Sequence, residues 1–242
     1  DTGPDVTVTD VPVTDVPAGG VWTASQPWPY PAVHSVLLPD GRVLFWSDDH
    51  DRNPYFWNPS SGAFTDTGFV RSELHCAGHA YLGDGRLLLT GGEPIGTEES
   101  HAGITETNLF DHRLDTFTAG PAMLDLRWYP TNTTLPNGEV LITGGSRADP
   151  SDSNPIPEVY SLSGTLRNLM GATRVLELYP LMFLAPNGMV FQAGPDSDTG
   201  YLDPAGNGRW IIVAAMSAIR RIGGSGVMYD NGKILILGGS PL

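Results

Sequence analysis

Residues 82–92 read LGDGRLLLTGG, in which an Asp-Gly pair stands between an apolar residue and a leucine-rich run that ends in two glycines. An Asp-Gly or Asn-Gly pair between apolar segments is typical of a tight β-hairpin, because glycine adopts the positive φ that the turn requires. The segment therefore predicts two antiparallel strands joined at Gly85.

The same hairpin pattern occurs five times along the chain. Each copy has an apolar strand, an Asp-Gly or Asn-Gly turn and a second apolar strand, and four of the five copies end at glycine. The turn glycines are Gly41, Gly85, Gly138, Gly188 and Gly232. Their spacing of 44 to 53 residues matches one four-stranded blade of a β-propeller, and the double glycine is typical of the kelch repeat.

A second pair of strands is predicted after each of the first four hairpins. These pairs lie in 55–64, 108–117, 158–166 and 200–210. The sequence thus predicts an all-β, kelch-type β-propeller with about four and a half blades. We expect a flexible Pro/Thr/Asp-rich linker at 1–19 and an incomplete β-propeller, blades 1 to 5, at 20–242. The alternative, a small propeller closed on itself by residues 20–26, is disfavoured because the fifth blade lacks its outer half.

The composition argues against several classes of partner. The formal net charge is −14 and the 13 basic residues are dispersed, so we expect no binding of nucleic acid through its phosphates. No apolar run is long enough to predict a membrane span, and a single cysteine excludes an internal disulfide. The opening segment resembles the linkers of exported proteins, which favours a secreted or extracytoplasmic protein.

That single cysteine, Cys76, lies nine residues before the turn glycine Gly85, and Tyr129 lies nine residues before Gly138. Because the first strand of every propeller blade lines the central axis, this matched register predicts that the two residues start neighbouring inner strands and converge. Tyr179 takes the same place in the next blade. A lone buried cysteine is commonly inert packing, and that interpretation stays open here. The tyrosine in matched register favours a functional pair.

Four segments resemble, in the same order, successive blades of the galactose oxidase and glyoxal oxidase family of copper radical enzymes. They are LHCAGHAYLGDGRLLLTGG (74–92), RWYPTNTTLPNGEVLITGGS (127–146), LYPLMFLAPNGMVFQAGPD (178–196) and GVMYDNGKILILGGSP (226–241). The resemblance covers roughly residues 21–242. It implies a seven-bladed propeller followed by an immunoglobulin-like domain, with this chain as the N-terminal part of the catalytic propeller.

The resemblance also implies a cofactor. In that family the cysteine at the position of Cys76 is joined by a thioether bond to the ring of the tyrosine at the position of Tyr129. That tyrosine is an equatorial copper ligand and carries a radical. The family's other ligands, a Tyr-His pair and a further histidine, would lie beyond Leu242. The implied cofactors are therefore copper and the Cys76–Tyr129 thioether, and the implied partner is the remainder of the same protein, or a second chain, that completes the propeller.

Three further residues are expected at the substrate pocket: Tyr179, His75 and Arg147. Arg147 occupies the position at which galactose oxidase has an indole stacked on the cross-linked tyrosine. Pro180 replaces an arginine that binds sugar hydroxyls. The resemblance to the family is therefore weakest at the galactose-binding positions, which favours a small alcohol or aldehyde as substrate.

Three other features have structural interpretations. We expect Trp128 to pack between blades rather than to stack on its neighbour, and His34 to be a structural histidine of an inner strand. The acidic run 48–51 is interpreted as a solvated loop.

The sequence thus favours part of a secreted copper radical oxidase that converts an alcohol or aldehyde with O2 into the oxidised product and H2O2. The alternative is a non-catalytic kelch propeller that binds a protein or glycan through its loops, with Cys76 as a buried thiol.

Overall fold

The computed structural model describes residues 24–47, 53–69, 72–95, 101–215, 221–230 and 232–240. The predicted linker, 1–19, and the acidic run, 48–51, lie outside these ranges. In the described part of the chain the secondary structure consists of eighteen strands and one short 3₁₀ helix, Met170–Ala172. The predicted all-β class is therefore confirmed.

Sixteen of the strands form four antiparallel sheets of four strands each, in sequential order. The first sheet contains β1 (His34–Leu37), β2 (Val43–Trp46), β3 (Tyr55–Trp57) and β4 (Phe64–Asp66). The second contains β5 (Gly78–Tyr81), β6 (Leu87–Thr90), β7 (Thr107–Asp111) and β8 (Thr116–Ala119). The third contains β9 (Trp128–Thr134), β10 (Val140–Ser146), β11 (Glu158–Tyr160) and β12 (Leu166–Asn168). The fourth contains β13 (Met182–Leu184), β14 (Val190–Gln192), β15 (Asp198–Asp203) and β16 (Arg209–Ala215).

A fifth, two-stranded sheet pairs β17 (Ile222–Tyr229) with β18 (Lys233–Ser240). All five predicted hairpins are confirmed, since the two strands on either side of every Asp-Gly or Asn-Gly turn pair with each other. The five turn glycines have φ between 81° and 91°, the left-handed conformation expected of them.

The apolar second strands are buried on both faces. Leu87 and Leu89 of β6 pack in a core shared with the first sheet, whereas Leu88 between them packs in a core shared with the third sheet. In β10, Val140 packs in the core shared with the second sheet, and Leu141 packs in a core shared with the fourth sheet. Successive side chains of a strand point to opposite faces, so an unbroken apolar run is what a strand between two neighbouring sheets requires.

The fifth sheet has one exposed face. Paired strands present Val227, Tyr229, Leu235 and Leu237 on one side of the hairpin, and each of these side chains is about half exposed. The opposite side packs towards the fourth sheet, where Gly226 lies against Phe183. The sheets are thus stacked in chain order, and their closure around an axis as blades stays a prediction. No helix in the described ranges is long and apolar enough to cross a membrane.

Candidate active site

Cys76, Tyr129 and Tyr179 share an unusual backbone conformation. Their φ angles are 64°, 62° and 47°, in the left-handed region that costs a residue with a side chain about 1–2 kcal/mol. The residue at the equivalent place before the fifth turn is Gly223, with φ of 70°. The fold therefore requires this conformation at four successive repeats, and at three of them the chain places a cysteine or a tyrosine where glycine fits without strain.

Backbone hydrogen bonds join the three residues to one another. The Tyr129 N–H donates to the Cys76 carbonyl at 2.9 Å, and the Tyr179 N–H donates to the Tyr129 carbonyl at 2.9 Å. Their backbones are therefore in contact, as the matched register predicts. The prediction that all three start inner strands holds only for Tyr129, the second residue of β9, because Cys76 and Tyr179 lie two and three residues before β5 and β13.

The Tyr129 ring is stacked on two sides. Its centroid lies 3.8 Å from that of Trp128, with 13° between the ring planes, and 4.5 Å from that of Tyr179, with 19° between the planes. The expectation that Trp128 packs between blades without stacking is wrong. The left-handed turn at Tyr129 breaks the alternation that would send neighbouring side chains to opposite faces.

A buried carboxylate, Glu93, fixes the indole of Trp128. The indole N–H donates to Glu93 Oε1 at 2.6 Å, and His75 Nδ1 lies 3.6 Å from the same oxygen. Glu93 is only 2% exposed. The sequence analysis missed this residue, although a signal existed: Glu93 directly follows the double glycine that ends β6, and this end of a second strand shares a face with Cys76.

The two tyrosines line a cavity of about 350 Å³, together with Arg221 and Gly223. Burial raises the pKa of Tyr179, and the neighbouring Cys76, Tyr129 and Glu93 raise it further, so this phenol stays protonated at neutral pH. Arg221 was also not predicted from the sequence. Its position directly before β17 does not indicate that it lines a cavity.

A second cavity, of about 310 Å³, is lined by His34, His79 and Tyr179 among others. His34 Nε2 accepts a hydrogen bond from the Cys76 N–H at 3.3 Å, and the imidazole stacks on Trp46 with 5.2 Å between ring centroids. Burial, with smaller contributions from His79 and His75, lowers the pKa of His34 to about 4. These contacts fit the structural interpretation of His34.

Of the residues expected at a substrate pocket, Tyr179 lines both cavities and His75 lies beside Cys76 and Glu93. The Arg147 guanidinium is held elsewhere: its Nε donates to Asp125 at 2.5 Å and its Nη1 to Asp152 at 3.0 Å. Whether Arg147 contributes to a substrate pocket stays a prediction.

The donor chemistry of this site suits copper in part. Phenol oxygens bind copper, and Tyr129 offers one at a cavity whose walls are largely aromatic and apolar. The described residues thus supply one member of a copper ligand set and the surface that would shield it.

Comparisons with known proteins show which enzymes the chain is similar to. No protein-family profile matches the chain. Over 246 residues the chain is 28% identical to the galactose oxidase of Gibberella zeae, a match that covers 87% of the chain and 34% of that enzyme. A match over 130 residues to the aldehyde oxidase GLOX of Vitis pseudoreticulata is also 28% identical and covers 50% of the chain and 23% of that protein. The chain is thus similar in sequence to members of the galactose oxidase and glyoxal oxidase family.

A solved structure shares the fold. A fungal alcohol oxidase of the AA5 family, in complex with copper, superposes with a TM-score of 0.70 at 23% identity, over 86% of this chain and 47% of that one. The chain spans about a third of the length of the galactose oxidase that it matches. Oxidase activity is therefore proposed for this chain in the next section.

Proposed function

We propose that this chain forms part of a copper radical oxidase, in which Tyr129 is a copper ligand and carries a radical and Cys76 is its covalent modifier. One observation carries the proposal: the only cysteine of the chain and a doubly stacked tyrosine hold strained backbones that are hydrogen-bonded to each other. The similarity to galactose oxidase over 87% of the chain supports it.

The reaction would be a two-electron oxidation. A primary alcohol loses two electrons and two protons to become an aldehyde, and O2 takes up both to give H2O2. When bound, copper would accept one electron and polarise the substrate oxygen. The Tyr129 ring, once it has lost one electron and holds a radical, would accept the second electron and return to the phenol.

The covalent modification balances in the same way. Bonding Cys76 Sγ to a ring carbon of Tyr129 breaks one S–H and one C–H bond, releasing two protons and two electrons that O2 accepts as H2O2. The bonded sulfur donates electron density to the ring, which makes the radical easier to form. Trp128 and Tyr179 stack on that ring and would shield part of it from water.

The proposed substrate is a small alcohol or aldehyde. Arg147 is engaged by Asp125 and Asp152, and Pro180 is a buried ring that packs beside Gly144 and offers no hydrogen-bond donor. Two of the three guanidinium nitrogens of Arg147 are therefore already engaged, and Pro180 has no group to donate to sugar hydroxyls. Completion of the propeller by a further part of the protein or a second chain, and a location outside the cytoplasm, belong to the same proposal.

The test is peroxide release by the complete, copper-loaded protein. We expect turnover with methylglyoxal or glycerol, no preference for galactose, and loss of nearly all activity in Tyr129→Phe. Tyr201→Phe is the matched control, since Tyr201 lies in β15 and its ring packs against Phe191 with 53° between the ring planes. A folded, copper-loaded protein that releases no peroxide with any alcohol or aldehyde would favour the non-catalytic binding module instead.

A further inference from the structure

We propose that His75, Cys76 and Glu93 form a binding site for a thiophilic divalent cation, of which Zn²⁺ is the type, while Cys76 is still a thiol. The site uses no phenol oxygen, so it is separate from the proposed copper ligand Tyr129. Metal binding at this site requires neither copper nor catalytic turnover. Only its effect on thioether formation rests on the proposed function.

The geometry suits a small ion. One nitrogen of His75, the sulfur of Cys76 and a carboxylate oxygen of Glu93 all lie within 4.8 Å of one another. Ligands at 2.0–2.3 Å from a tetrahedral ion are roughly 3.3–3.8 Å apart. The distances between the three ligand atoms would therefore need to shorten by at most about 1 Å, which side-chain rotation allows.

Burial and charge favour an ion of charge +2. Cys76 is 1% exposed and Glu93 is 2% exposed, and Glu93 Oε2 has no hydrogen-bond partner within the described residues. A buried carboxylate is costly unless a cation compensates it. One divalent ion, one thiolate and one carboxylate sum to zero charge, whereas a monovalent ion would leave a net negative charge in the interior.

The site is open to solvent on one side. The His75 side chain is 18% exposed, so it lies at the rim and leaves a path for the ion. Three protein ligands leave the fourth tetrahedral position for water, which is the arrangement of an exchangeable site rather than of a closed structural one.

Zn²⁺ binding would compete with thioether formation for the sulfur of Cys76. A thiolate that is bound to Zn²⁺ is held away from the Tyr129 ring, and a sulfur that is already bonded to the ring has lost the negative charge that binds the ion. Metal binding at this site and thioether formation therefore exclude each other.

The experiment uses Co²⁺ as a spectroscopic probe for Zn²⁺, added to the protein prepared without copper. We expect thiolate-to-cobalt charge-transfer absorption in the near ultraviolet, which added Zn²⁺ removes. Cys76→Ser should abolish this absorption. Glu93→Gln should weaken Co²⁺ binding about tenfold or more, since it removes a charged ligand. Gln keeps an acceptor for the Trp128 indole, so this variant should fold, and Glu139→Gln, at a partly buried glutamate directly after Gly138, is the control.

Absence of the charge-transfer absorption, or equal Co²⁺ affinity in wild type and a folded Glu93→Gln variant, would overturn the inference. This result is independent of the oxidase proposal. A protein that binds Co²⁺ through Cys76 but never releases peroxide would refute the proposed function and leave the site intact. A protein that releases peroxide but shows no thiolate absorption before copper is added would do the reverse.

Discussion

At the scale of single residues, the left-handed backbone at Cys76, Tyr129 and Tyr179 shapes the candidate site. Each position costs conformational energy that glycine would avoid, and Gly223 shows that the fold accepts glycine there. Strain of this kind persists only where the surrounding structure fixes it, and it is common at functional sites. The conformation brings Trp128 onto the Tyr129 ring, and Glu93 then holds the indole in place.

The hydrogen bond between Trp128 and Glu93 gives a prediction about stability. Trp128→Phe keeps an aromatic ring on Tyr129 but leaves the buried Glu93 without its indole donor. We expect a loss of about 1–3 kcal/mol in the free energy of unfolding, measured by urea denaturation. Trp57→Phe is the matched control, because the buried Trp57 indole nitrogen has no hydrogen-bond partner in the described part of the chain. Equal losses in the two variants would contradict the role given to Glu93.

At the scale of strands and sheets, β1 and β5 bring two partly buried histidines together. His34 and His79 lie 6.2 Å apart between ring centroids, and burial lowers the pKa of each. Below the ordinary pKa of 6.5 the unfolded chain takes up a proton at His34 that the folded chain refuses until about pH 4. Stability should therefore fall as the pH falls from 6.5 to 4, by about 3 kcal/mol at His34 alone.

His34→Gln tests this pH dependence, since Gln stays neutral and can accept the Cys76 N–H. We expect the variant to lose much less stability between pH 6.5 and 4 than the wild type does, as measured by denaturation at each pH. His112→Gln, at a histidine beside the Gly85 turn, serves as the control. An unchanged pH profile in His34→Gln would show that His34 is not the group responsible.

The strands could be predicted from the sequence, whereas the side-chain contacts of the candidate site could not. Each hairpin follows from an Asn-Gly or Asp-Gly turn within a few residues and from apolar alternation, both of which are local. Glu93 and Trp128 are 35 residues apart and meet only because two sheets stack and one residue is left-handed. The sequence correctly predicted that Cys76 and Tyr129 are adjacent, because each lies nine residues before a turn glycine and those turns are local features.

At the scale of the whole molecule, the exposed face of the fifth sheet is the feature that most needs explanation. In the second and third sheets, the equivalent second strands are covered on both faces by neighbours. Val227, Leu235 and Leu237 instead face solvent, on a sheet of only two strands. Apolar faces and open strand edges of this kind favour association.

We therefore expect this chain, when purified by itself, to self-associate at micromolar concentration in size-exclusion chromatography with light scattering. The double substitution Leu235→Thr and Leu237→Thr should reduce the association, because it makes the exposed face more polar while keeping strand propensity. A monodisperse, folded wild-type monomer would contradict the expectation that a further sheet covers this face.

Peptide mapping of the complete, copper-loaded protein by mass spectrometry shows directly whether Cys76 is bonded to Tyr129. If Cys76 modifies Tyr129, a protease digest should contain one species that joins the two peptides, lighter than their sum by two hydrogen atoms and stable to thiol reductants. The species should be absent from Cys76→Ala, together with most of the peroxide release. A Cys76 that is fully alkylated by iodoacetamide after denaturation of the active, copper-loaded protein would contradict the account.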